Sequence, residues 1–152
     1  MTDPLTRFGA DLRLLDDLRY ANDRLHGSDL HTVVRAKTGR ADLQTLDGVD
    51  NLSQALLLRF VTRQGELEAI GHPEYGSRLY TLIGELNNAT NRNRAKLFVL
   101  EALAAEPRVA RVESVSVSAG ARDRLDIALT LKAIDSDTPL DLVFPFFIGV
   151  PG

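Results

Sequence analysis

Between Asn91 and Ala105 the apolar residues Ala95, Phe98, Val99, Ala102 and Leu103 recur at i, i+3, i+4, i+7 and i+8, a single stripe along a helix. Thr90 or Asn91 can supply the N-cap oxygen. A second helix is predicted from about Asn51 to Arg63, capped by Asp50, with Leu52, Ala55, Leu56 and Phe60 on one face. Leu57, Leu58 and Val61 widen that face until most of the helix reads as buried. A third, shorter helix runs from about Ser77 to Leu86, with Leu79, Leu82, Ile83 and Leu86 on one side. Between the second and third, Gln64 to Gly76 holds Gly65, Gly71 and Pro73 and reads as an ordered loop.

The C-terminal third changes period. Leu125, Ile127, Leu129, Leu131 and Ala133 alternate with Asp126, Ala128, Thr130 and Lys132, the pattern of a half-buried strand. Upstream, Val115 and Val117 alternate with serines while Val112 has the opposite parity, so a bulge or late strand start near Glu113 is expected. Ala119 to Asp123 forms a hairpin loop around Gly120, and Ser136-Asp137-Thr138-Pro139 a further turn. Leu140, Leu142, Phe144, Phe146 and Ile148 then alternate, with Pro145 arguing for an edge position or a bulge. At the N-terminal end, Asp29–Arg35 and Asp42–Leu46 suit a hairpin across residues 37–40. Residues 15–25 favour a helix, and residues 10–14 are left open between helix and strand.

Composition narrows the function classes. A chain of 152 residues with no Cys has no disulfide, thiolate metal site or cysteine nucleophile. Its 18 basic and 21 acidic residues are mixed along the chain with a formal net charge of −3, which disfavours nucleic acid as a partner. The longest apolar run, Phe144 to Val150, is far short of the roughly 20 residues a membrane span needs, so no direct membrane insertion is expected. The first 17 residues lack the basic and apolar regions of a signal peptide.

Candidate chemistry is sparse. Of the three histidines, His26 and His31 lie far in sequence from His72, and zinc needs several ligands to converge, so neither metal nor cofactor is expected. His72-Pro73-Glu74 matches half of a deaminase motif whose cysteine half is missing. Glu66, Glu68 and Glu74 share one loop region, and a glycosidase needs two carboxyl groups about 5 to 9.5 Å apart. A peptidoglycan hydrolase is therefore the alternative enzymatic reading, although no Trp and only three Tyr are available as a sugar platform. Arg92, Arg94 and Lys96 crowd the first turns of the best helix, where the macrodipole disfavours cations. They read as a solvated face, or as a site for an acidic patch on a partner.

At the joint between that helix and the first long strand stands Glu106-Pro107-Arg108. Pro107 must stop the helix, and the two opposite charges sit on a stiff corner. Alone it would be a surface corner with an internal ion pair. It occurs, however, after an ordered series: Asp42-Leu43, Gly48-Val49-Asp50-Asn51-Leu52, Gln54-Ala55-Leu56, Arg59, Thr62 to Leu67, His72-Pro73-Glu74-Tyr75-Gly76-Ser77-Arg78-Leu79, Ile83-Gly84 and Glu101-Ala102-Leu103. Pro139-Leu140 and Leu142 to Phe146 close it. As a set, over about residues 41–148, these resemble the baseplate wedge family of contractile phage tails, the sheath-initiating W-type baseplate assembly proteins.

The resemblance implies a non-enzymatic structural component of the baseplate of a phage, type VI secretion-like system or injection particle, assembled in the bacterial cytoplasm. It implies that Glu106, Pro107 and Arg108 dock on the helical core bundle of the wedge proteins. It also implies that the C-terminal strands receive extended arms of the contractile sheath protein, with six copies of the chain around the tube. For that role Val115, Val117, Leu125, Ile127, Leu129 and Leu131 are the expected sheath-binding residues, by strand addition. The Phe144-Pro145-Phe146-Phe147-Ile148 tail reads as a surface that assembly covers. Residues 1–40 are then an N-terminal extension whose structure the pattern leaves open, and residues 41–152 the wedge-like domain. The fold expected is α+β: about three helices packed on a mainly antiparallel sheet, with C-terminal strands available for addition.

Overall fold

Among the described residues, two helices and a three-stranded sheet enclose one core. A computed structural model describes residues 8–14, 30–134 and 136–149. Helix α1 (Gly48–Val61) begins earlier than expected. Asp47, not Asp50, holds the N-cap position, without a side-chain capping bond, and Asp50 lies in the first turn, where the dipole favours an acid. Leu52, Leu56, Leu57 and Phe60 are buried on several sides of it, whereas Val61, expected on the same broad face, is 61% exposed at the helix end.

Helix α2 (Ala89–Ala104) buries the predicted stripe Ala95, Phe98, Val99, Ala102 and Leu103. Its cap is Asn88, whose side chain accepts the Asn91 amide at 2.9 Å. The predicted Thr90 and Asn91 already lie inside the first turn. Among the described residues these are the two α-helices, and the helix expected over Ser77–Leu86 is a 3₁₀ turn, Leu79–Leu82. Only Leu79 and Leu82 are buried, a spacing that suits three residues per turn, while Ile83 and Leu86 are 44% and 76% exposed. Gly84, at φ +91, ends the segment before a helix can repay its nucleation cost.

The C-terminal strands β5 (Val109–Ala119), β6 (Arg124–Ala133) and β7 (Leu140–Phe147) form an antiparallel meander. In β6 the odd-numbered residues Leu125 to Ala133 are buried without a break. The expected bulge is present as a register shift between Val112 and Ser114, with a second between Val109 and Arg111. Helix α2 packs on β5 and α1 reaches β7, where the Phe60 and Phe144 rings stack at 4.9 Å with planes 7° apart. The tail read as a surface awaiting assembly is instead largely the chain's own core: Phe144, Phe146 and Ile148 are 2%, 9% and 2% exposed. Burying each such side chain contributes roughly 1.5–3 kcal/mol.

Among the described residues ahead of α1 lie four short strands: β1 (Ala10–Leu12), β2 (Thr32–Val34), β3 (Ala41–Leu43) and β4 (Thr45–Asp47). The expected hairpin is β2–β3, and Leu46 belongs to β4, which pairs with β1. Residues 10–14 thus begin as strand. Two amides on α1 pin this segment. Asn51 Nδ2 donates to the Phe8 carbonyl at 2.7 Å, and the Gln54 side chain both donates to Leu12 O and accepts Leu14 N at 2.8 Å. The helix predicted over residues 15–25, as well as His26 and Asp29, lie outside the described residues.

Candidate functional site: a charged corner and two sheet edges

Helix α2 ends where Glu106 N reaches the Leu103 carbonyl, and the chain turns through Pro107 into β5. Glu106 is only 4% exposed. A buried carboxylate must be paired and hydrogen-bonded, and two guanidinium groups converge on it. Oε1 accepts Arg108 Nε at 2.6 Å and the Arg108 amide at 3.3 Å. Oε2 accepts Arg59 Nη2 at 3.0 Å and Arg108 Nη2 at 3.3 Å. Arg108 Nη1 also donates to the Phe8 carbonyl at 3.1 Å, so the corner ties α1, the end of α2 and the N-terminal segment together. Burial alone would raise the Glu106 carboxyl. Hydrogen bonding and charge from Arg108, its amide and Arg59 outweigh that, holding the group below its ordinary value.

The sequence pattern assigns Arg59 no role. It is 9% exposed, its guanidinium lies 4.5 Å from the Tyr75 ring centroid, and its Nε is buried without a hydrogen-bond partner. A charged residue inside an apolar helix face was the signal that a buried acid had to meet it. With Gly71, His72, Pro73, Glu74, Tyr75 and Ala105 it lines an open cleft of about 350 Å³.

The rest of the His72–Leu79 stretch straps this loop to the helices. Gly76, at φ +109, passes so close to α1's end that a Cβ would meet the Thr62 carbonyl oxygen at 2.6 Å. Ser77 Oγ donates to Phe60 O at 2.6 Å, and Arg78 makes a bidentate pair with Glu101 while lying over the Phe98 ring. Glu66, Glu68 and Glu74 are exposed, and among the described residues no three His, Asp or Glu side chains come together as a metal site. Arg92 and Arg94 bond locally to Asn87 and Asn91.

The predicted sheath-binding residues separate into two groups. β6 is the central strand, and Leu125, Ile127, Leu129 and Leu131 are at most 2% exposed, so their side chains form core and an incoming strand would meet β5 or β7. Gly120 N donates to Arg124 O at 2.9 Å. Alternation along the ladder from that pair turns the amides of Ser118, Ser116 and Ser114 toward β6 and those of Val115, Val117 and Ala119 outward. Val115 is buried on the core face and Val117 half-buried, while their backbone edge pairs with no other described strand. On the opposite side, Ile148 N bonds Asp123 O at 2.7 Å, which by the same alternation sets Pro145 on β7's outer edge. Its missing donor interrupts that edge, the expected place for a strand proline.

The sequence profile of the contractile injection system sheath initiators matches residues 28–136. No curated protein matches the chain. Among solved structures, a Geobacter sulfurreducens protein described provisionally as a tail lysozyme is similar at 26% identity and a TM-score of 0.55, covering 62% of this chain and 86% of that one.

Proposed function

The chain belongs to the sheath initiator family of contractile injection systems, and from that premise we propose that it joins the baseplate wedge to the first ring of sheath. The family match over residues 28–136 carries this reading. A structural part in the baseplate follows from it. In the finer reading, the Glu106-Pro107-Arg108 corner docks on the helical core bundle of the wedge proteins. Two guanidinium groups sharing one carboxylate leave the corner with one positive charge in excess. The partially exposed Arg108, held in a fixed plane by Glu106, can orient a partner carboxylate with its remaining donor capacity. Six copies then sit around the tube, assembled in the cytoplasm.

Sheath arms add to the sheet edge in this reading, and β5 is the favoured acceptor. Val115 to Ala119 offers an edge free of proline and charge, whereas Pro145 interrupts β7. Backbone pairing supplies the attraction in that mode, so Val115 and Val117 act through their amides and carbonyls.

The test is Arg108→Ala. Losing its internal bonds costs about 1.5–3 kcal/mol, so the variant remains folded at low temperature. Its affinity for wedge subunits should fall by tenfold or more, because breaking a buried charged contact costs about 2–5 kcal/mol. Normal co-purification of the folded variant with wedge subunits would refute the docking role.

A second reading rests on the similar structure's description as a tail lysozyme. Glu66, Glu68 and Glu74 are the carboxylates it would use. Zymography on peptidoglycan decides: a lytic band abolished by changing any one of the three to Gln would establish the hydrolase, and no band would exclude it.

A further inference from the structure

The β2–β3 hairpin stands apart from the core. Every residue of both strands is exposed, and each strand pairs only with the other among the described residues. Cross-strand partners share a face, so Thr32, Val34, Ala41 and Leu43 lie on one side and Val33 and Asp42 on the other. Leu30 continues the first face. Along it Leu30, Val34 and Leu43 are 46%, 66% and 37% exposed, an apolar strip on a two-stranded element that is marginal by itself in water.

The connecting turn is ordered. Thr38 and Gly39 amides donate to Arg35 O at 3.2 and 2.8 Å, the Arg35 amide donates to Arg40 O at 2.9 Å, and Gly39 sits at φ +65. It carries Arg35, Lys37 and Arg40. Among the described residues of this segment, 30–43, only Asp42 opposes them, bonded to Arg35 Nε at 2.9 Å, so the tip of a chain whose net charge is −3 is locally cationic.

We infer that this hairpin is a docking arm for an acidic protein surface bearing an apolar ridge, on a neighbouring, different subunit of the assembled particle. The inference rests on membership of the sheath initiator family for the setting, and on neither the charged corner nor the β5 edge. Charge complementarity names the partner's rim, and the strip of Leu30, Val34 and Leu43 names its centre. A lipid surface fits less well, since basic membrane-binding segments carry about 4–8 cations and this tip has three, one already paired. Nucleic acid fits less well too, because residues 30–43 contain no Phe, Tyr or Trp on which a base could stack.

Because the chain has no Cys, a single thiol reports one position. Val34→Cys and, separately, Thr38→Cys would be labelled with a photo-crosslinker, incorporated into assembled particles and mapped by mass spectrometry. Both should cross-link to a different particle protein, in a segment rich in Asp and Glu. The yield should fall about tenfold when Lys37→Glu and Arg40→Glu are added, and should fall with rising salt. The doubly reversed chain should keep its circular dichroism and melting temperature. Overturning results are no cross-link from either position, cross-links only to a second copy or to lipid, or a yield indifferent to the charge reversals. Wedge co-purification of the doubly reversed chain separates the two ideas: lost cross-linking with wedge binding retained, or the reverse, assigns a failure to one of them.

Discussion

Glu106→Gln removes one negative charge and leaves two guanidinium groups facing each other around a group that is 4% exposed. Breaking a buried pair in this way costs about 3–5 kcal/mol. Arg108 is partly exposed and can turn its charge toward water, so the lower end of that range applies, about 3 kcal/mol. For a domain of this size that lowers the melting temperature by about 10 °C. The pH dependence gives an independent check. The folded Glu106 carboxyl is held below its unfolded value, so between the two values the unfolded chain binds more protons and stability rises with pH. The stabilisation is therefore complete above about pH 5 and is lost as pH falls through the folded value. Thermal melts of both proteins from pH 7 to pH 3 should show a gap that narrows with acid, because Gln cannot titrate. A melting temperature within about 2 °C of the parent at pH 7, or a gap that stays constant to pH 3, would refute the assignment of Glu106 as the charged anchor of the corner.

Three further outcomes follow from the geometry. Gly76→Ala must place a Cβ 2.6 Å from the Thr62 carbonyl oxygen at positive φ, and should cost about 3 kcal/mol in urea titration, with circular dichroism retained. Asn88→Ala removes the α2 cap and should cost about 1 kcal/mol, a fall of about 3 °C in the melting temperature, whereas Thr90→Ala should change little. Val117→Pro deletes an outward amide and should leave a folded protein that yields unsheathed tubes, while Ser116→Pro deletes a ladder donor and should unfold the sheet.

Much of the frame was legible in the chain because periodicity reports burial directly. The α2 stripe, the β6 alternation, the bulge near Glu113 and the edge position of β7 all follow from which positions must be dry. Ser77–Leu86 misled because Leu79, Leu82, Ile83 and Leu86 fit a helical face, yet one 3₁₀ turn satisfies the two that are buried. The Phe144–Ile148 tail misled for the opposite reason: its aromatic run reads as sticky surface until Phe60 is found stacked on it from 84 residues earlier. At the corner, Pro107 and its flanking charges were plain. The sharing of Glu106 by Arg59 is a contact 47 residues apart in sequence, which no local pattern encodes. Strand order likewise decides which edge is open. The β6 alternation showed a strand with one dry face and could not show that both its edges were already taken.

The most direct test is a cryo-electron microscopy reconstruction of the baseplate end of an extended, sheathed particle. The expected map has an extended strand of the first sheath ring added to the β5 edge at Val115–Ala119, with the Glu106–Arg108 corner seated on the wedge bundle. A first sheath ring that rests on another protein, with the sheet of this chain making no contact to sheath, would contradict the role of sheath initiation.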